Sequence, residues 1–188
     1  NIVTARAEID QAQAAAAADA GLALAIQGLL SKDPARRWSI DGRERSLVFG
    51  QAQLVVRVED ERGKVPISLI DADQLTRLLE GIGLDGNRLR VARDSLLDWV
   101  DDDDEPRPDG AERSYYRPGG FVPRNGSLLT IEELARVRGF DAALVERLRP
   151  AITVTYGSGP FDARYAQPLA LGIMLEGGVD SPLAIQRK

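Results

Sequence analysis

The apolar residues of this chain change period twice, and that limits the folds open to it. Over the first thirty residues they recur at three- and four-residue spacing, with Ile2, Ala5, Ile9, Ala12, Ala16, Ala20, Ala23, Gln27 and Leu30 forming one seam. The run "QAQAAAAADA" within it has high helix propensity, so residues 1–30 read as one long helix that stops at Ser31–Pro34. From Trp38 the period falls to two: "RSLVFG", "AQLVVRVED" and "KVPISL" are alternating or β-branched runs. Three or four antiparallel strands are expected between 38 and 68, packed on the C-terminal half of the helix. "EDERGK" is expected as a hairpin turn with Gly63 at positive φ.

At Leu69 the helical period returns. "DADQLTRLLEGIGL" has Asp71 or Asp73 as cap, and "NRLRVARDSLLDWV" follows it. "SLLTIEELARVRGF" is expected to be helical from a capping box of Thr130 and Glu133, and "DAALVERL" forms the next helix. "AITVTYG" reads as a strand, and the last thirty residues as irregular with a short helix at 168–175. The order helix, strands, helices, strand is an α+β class in which an all-helical block, 69–150, is inserted between strands of a domain made of 1–68 and 151–188.

Composition excludes several functions. The chain has neither cysteine nor histidine, which removes thiol chemistry, imidazole acid–base catalysis and the usual zinc ligands. The net charge of −5 argues against a general binder of nucleic acid or anionic membrane. No apolar run is expected to approach the roughly 20 residues of a membrane span. The start at Asn1 inside a helical pattern suggests a segment upstream.

Within "LLDWVDDDDEPRPDGAERSYY", residues 96–116, six of the eight positions Asp98–Glu105 are acidic. A solvated turn, a catalytic carboxylate pair and a cage for a hard cation all remain open. A glycosidase-like pair needs one protonated acid in an apolar pocket, and consecutive acids beside Pro106 and Pro108 look wet. Asp101, Asp103, Glu105 and Glu112 stand at positions 1, 3, 5 and 12 of a calcium loop of the EF-hand type, and magnesium seldom recruits so many carboxylates. Pro106 occupies the position that needs glycine, so the loop is not an EF-hand.

One further segment carries a recognisable pattern. "LLTIEELARVRGFDAALVERLRP" resembles a helix-hairpin-helix nucleic-acid module, but it has one glycine, Gly139, at the hairpin, and its acids cancel its arginines. A compact helical pair is the simpler reading. No serine, aspartate or lysine sits in a nucleophile motif, so no enzyme is expected.

The order "LVFGQAQLVVRVEDERGKVPISL", "LLDWVDDDDEPRPDGAERSYY", "LLTIEELARVRGFDAALVERLRPAITV" resembles the K-type minor pseudopilins of the type II secretion system, over about residues 5 to 185. The resemblance implies a pilin-like long N-terminal helix on an antiparallel sheet with a large helical insertion. It implies a periplasmic part of an inner-membrane-anchored protein of a Gram-negative bacterium, anchored by a hydrophobic half-helix that is not in this sequence. It implies a place at the pseudopilus tip with the I-type and J-type minor pseudopilins, no nucleic acid, and structural calcium in the inserted domain. The ligands it points to are Asp101, Asp103 and Glu112, then Asp98, Asp104 and Glu105. Family members often have "VDLN" where this chain has "VPISL", and larger ones carry a strand-forming block where it has "DARYAQPLALGIMLEGG".

Overall fold

The computed structural model describes residues 2–155 and 159–175. The chain divides into two compact units, Asn1–Asp60 and Glu61–Lys188.

The first unit is a helix and a hairpin. Helix α1 runs Ile2–Leu30, and strands β1 (Arg45–Phe49) and β2 (Ala52–Val56) pair antiparallel with Phe49 opposite Ala52. Gly50, with φ 60°, supplies the left-handed residue that this two-residue turn requires. The period-two pattern holds: Leu47, Leu54 and Val56 are half-buried while Val48 and Val55 face out.

The helix seam differs from the expected one. Ala16, Ala23, Gln27 and Leu30 are exposed, and the buried row is Ala17, Gly21, Ala25 and Gly28. Small residues decide this, because they allow close approach. A Cβ on Gly21 would lie 3.3 Å from Val56 Cγ2, and one on Gly28 would lie 2.3 Å from the Trp38 ring. Trp38 N also donates to Gly28 O at 3.0 Å, and the Arg45 guanidinium lies 4.9 Å from the centre of the Trp38 ring. Counting alanine as apolar, Thr4–Leu30 is long and apolar enough to cross a membrane by length and composition, which a search for unbroken runs of large apolar residues overlooks.

The second unit is mainly helical. Strand β3 (Val65–Pro66) does not extend the hairpin; it pairs in parallel with β4 (Ile152–Thr153). Val65 N donates to Ala151 O and Ile67 N to Thr153 O, so Pro66 falls where the ladder needs no donor. The expected turn at 59–64 is instead a 3₁₀ turn, Glu61–Gly63. Gly63 does not have positive φ; it is required because a Cβ there would lie 2.5 Å from the Tyr165 backbone.

Helices α2 (Ala72–Gly81) and α3 (Gly86–Val100) follow, α2 opened by a complete capping box between Asp71 and Gln74. Helix α4 (Arg113–Tyr116), α5 (Ala142–Leu148) and α6 (Pro168–Leu175) complete the unit. The segment Ile131–Arg136 is 3₁₀, not α, and Thr130 makes no side-chain cap. Glu133 is diverted to a buried network instead. Leu75, Leu78, Leu79, Leu96, Trp99, Leu134, Leu144, Leu148 and Ile152 share one core. The expected helix at 168–175 is present, and residues 176–188 lie outside the described residues.

The turn joining the 3₁₀ segment to α5 is set by Gly139, whose φ is 91° and whose Cβ would lie 2.8 Å from Ala92 Cα. The turn of the helix-hairpin-helix-like segment is therefore pressed onto α3. Gly139→Ala is expected to cost about 3 kcal/mol through combined strain and overpacking. Urea denaturation measures it, and a cost near zero contradicts this packing.

Candidate metal centre

Asp94, Asp98 and Asp101 lie at four- and three-residue spacing on α3 and its C-terminal cap, so they share one helical face. Asp94 and Asp98 are buried, and the loop after α3 folds back over them. Arg107 N lies 3.2 Å from Asp98 Oδ2, and Asp109 N donates to Asp94 at 3.3 Å. Gly110 admits this return, since a Cβ there would lie 2.0 Å from Asp98 Oδ2. The chain then buries Ala111 and Glu112 before starting α4.

Carboxylate oxygens of Asp98, Asp101 and Glu112 thereby come within 4.8 Å of one another. One Arg107 nitrogen donates to Asp98 at 2.7 Å and to Asp101 at 2.5 Å. Three carboxylates against this one guanidinium leave two negative charges.

The other predicted ligands lie outside this triad. Asp103 Oδ1 accepts from Glu105 N at 2.8 Å, closing its own turn. Asp104 lies 3.4 Å from Arg113, and Glu105 is exposed. Positions 1 and 12 of the calcium-loop spacing meet while 3 and 5 do not, because the loop lacks the EF-hand backbone path. Asn125 was not expected. Its Nδ2 donates to Asp103 O at 2.7 Å, its Oδ1 is buried without a partner, and its φ of 51° marks a special backbone position. Asp94 was also missed, although its four-residue offset from Asp98 signals a shared face.

Two buried glutamates in this unit show what is unusual. Burial works against the ionised form of Glu133, but donors from Leu129 N, Trp99 Nε1 and Arg124 outweigh it and hold its carboxyl below the ordinary range. Glu112 is only 2% exposed, and neither of its carboxylate oxygens has a hydrogen-bond partner. Burial, reinforced by the charges of Asp98, Asp101 and Asp104, pushes it up to about 7. An ionised glutamate here needs a cation. The tyrosines close the loop unequally: Tyr116 is buried edge-on to Trp99 with ring centres 5.1 Å apart, while Tyr115 is exposed.

With this geometry in hand, comparison with known proteins is decisive. The family model described as "Type II secretion system (T2SS), protein K" matches residues 53–157. The chain belongs to this family. Type II secretion system protein K of Klebsiella pneumoniae is 32% identical over 134 residues, covering 63% of this chain and 40% of that protein. That of Dickeya chrysanthemi is 37% identical over 83 residues, covering 44% of this chain and 23% of that protein. The chain thus spans 40% or less of the length of these relatives. The crystal structure of the GspK-GspI-GspJ complex from the enterotoxigenic Escherichia coli type 2 secretion system contains a chain of similar fold. The TM-score is 0.65 with 21% identity, over 98% of this chain and 72% of that one. The helix-hairpin-helix alternative gains nothing from these matches.

The shift at Glu112 gives a pH prediction. Its folded value lies above the ordinary 4.5, so its contribution to stability is complete below about 4.5 and lost as pH rises through about 7. In chelator, wild-type protein is expected to lose melting temperature between those values relative to Glu112→Gln, and the variant to melt higher at pH 8. Parallel melting curves contradict the assignment.

Proposed function

We propose that this chain is part of a minor pseudopilin that works at the tip of the type II secretion pseudopilus. There it assembles with the I-type and J-type minor pseudopilins and supports export of folded proteins across the outer membrane. The observation that carries this reading is membership of the protein K family over more than half of the chain. The fold likeness to a chain of the GspK-GspI-GspJ complex supports it. The long helix on an antiparallel hairpin within Asn1–Asp60 fits the pilin-like part, and the helices between β3 and β4 fit the inserted helical domain. The working location is the periplasm, in a protein anchored in the inner membrane. No catalytic step is assigned to it.

The acidic loop is proposed to hold a structural calcium ion. Asp98, Asp101 and Glu112 would hold it; Asp103, Asp104 and Glu105 would contribute only if the loop rearranged. The residues present fit such an ion. The donors are all oxygen, the net charge of minus two matches a divalent cation, and the orphaned Glu112 carboxylate is the donor that calcium coordination uses. When bound, the ion supplies charge neutralisation and fixes the loop against α3. Asp98 orients Arg107, and Gly110 leaves room for Asp98.

Two measurements test these readings separately. Mixing the chain with I-type and J-type partners in calcium should give a ternary complex on size exclusion, and three separate species contradict the assembly reading. Saturating calcium at about 100 times its Kd should add about 2.7 kcal/mol of stability, several degrees in melting temperature over chelator. Asp98→Asn and Glu112→Gln should each abolish that increment. Equal melting of wild-type protein in calcium and chelator contradicts the calcium site.

A further inference from the structure

We propose that the segment Tyr115–Val122 and the turn Arg136–Arg138 form a docking surface for an acidic protein segment, one that carries carboxylates beside apolar side chains. Tyr115, Phe121 and Val122 are 54%, 42% and 57% exposed, so two rings and a branched side chain of this stretch face solvent. Two of the surface's three arginines lie against its rings. The Arg136 guanidinium is 5.6 Å from the centre of the Phe121 ring, and that of Arg138 is 4.9 Å from the centre of Tyr115.

The surface is held from beneath by Tyr116. Its hydroxyl accepts from Arg138 N at 3.0 Å and its carbonyl from Phe121 N at 3.3 Å, while Arg138 Nη1 donates to Gly110 O at 2.9 Å. Val137, between the arginines, is buried. The rings and guanidinium groups are thus positioned before any partner arrives, which lowers the entropy cost of binding.

The charge pattern selects the occupant. Arg117, Arg136 and Arg138 have no carboxylate partner among the described residues. The neighbouring acids are committed elsewhere: Glu132 to Arg149 at 3.0 Å, Glu133 to Trp99, Leu129 and Arg124, and Asp141 to the Leu144 amide. A guanidinium over a ring still has N–H groups to offer a carboxylate, those of Arg138 beyond the Nη1 that Gly110 O takes, and arginine with exposed aromatics is the composition of interface hot spots. Nucleic acid is disfavoured because the chain carries −5 overall, so no extended basic field surrounds the patch. The inference rests on these contacts and not on tip assembly.

A random dodecapeptide display selection against the whole chain in calcium tests it. Enriched peptides should pair Asp or Glu with aromatic or aliphatic residues. A synthetic copy of one should bind wild-type protein and weaken as salt rises from about 50 to about 500 mM. Phe121→Ser and the double variant Arg117→Ser/Arg136→Ser should each lose about tenfold in affinity while keeping the wild-type melting temperature. Three results would overturn the proposal: enrichment of neutral or basic peptides; undiminished binding by the folded variants; or binding of phosphatidylglycerol vesicles with no acidic peptide enriched.

Discussion

A carboxylate taken out of water must be given donors, a proton or a cation, and the second unit of this protein meets that demand in different ways. At Glu133 an indole, a backbone amide and a guanidinium meet one carboxylate, and α3, the loop at 124 and the segment at 129–136 are joined through it. At Glu112 neither carboxylate oxygen gains a hydrogen-bond partner, and the Arg113 amide only weakly opposes the effect of burial. The return loop presses Glu112 towards Asp98 and Asp101 because Gly110 has no side chain and Ala111 is buried, so core packing brings the charges together. In the proposed reading a divalent cation resolves the conflict and makes the acidic run a structural staple.

Much of this fold was legible in the sequence, and the misses have physical causes. The length of α1, the two helices at 72–100, the helix at 142–148 and the alternation in β1 and β2 follow from periodicity, which each element satisfies alone. The seam of α1 does not, because glycines count as gaps in an apolar pattern while Gly21 and Gly28 are the contact surface. The partner of β3 was missed because a two-residue strand has too little pattern to reveal a parallel partner more than eighty residues away. Thr130 and Glu133 have the spacing of a capping box, but the Trp99 indole and Arg124 claim the glutamate.

The candidate site was half legible. Spacing pairs Asp101 with Glu112, and they do meet. Asp103 and Glu105 kept the spacing but not the geometry, since loop ligands depend on a backbone path that Pro106 forbids. Asp98, which only the family resemblance supplies, and Asp94, which nothing supplied, lie in the helix before the loop, where a loop template does not look. Asn125 reaches the loop from more than twenty residues downstream, and nothing local in the sequence marks it.

The central claim is that Asp98, Asp101 and Glu112 share one divalent cation. The most direct measurement is an anomalous difference map from crystals grown in calcium, collected at long wavelength. One peak is expected, with an oxygen of each of the three carboxylates at about 2.3–2.6 Å. A map with no peak there, and Arg107 alone bridging Asp98 and Asp101, contradicts the account.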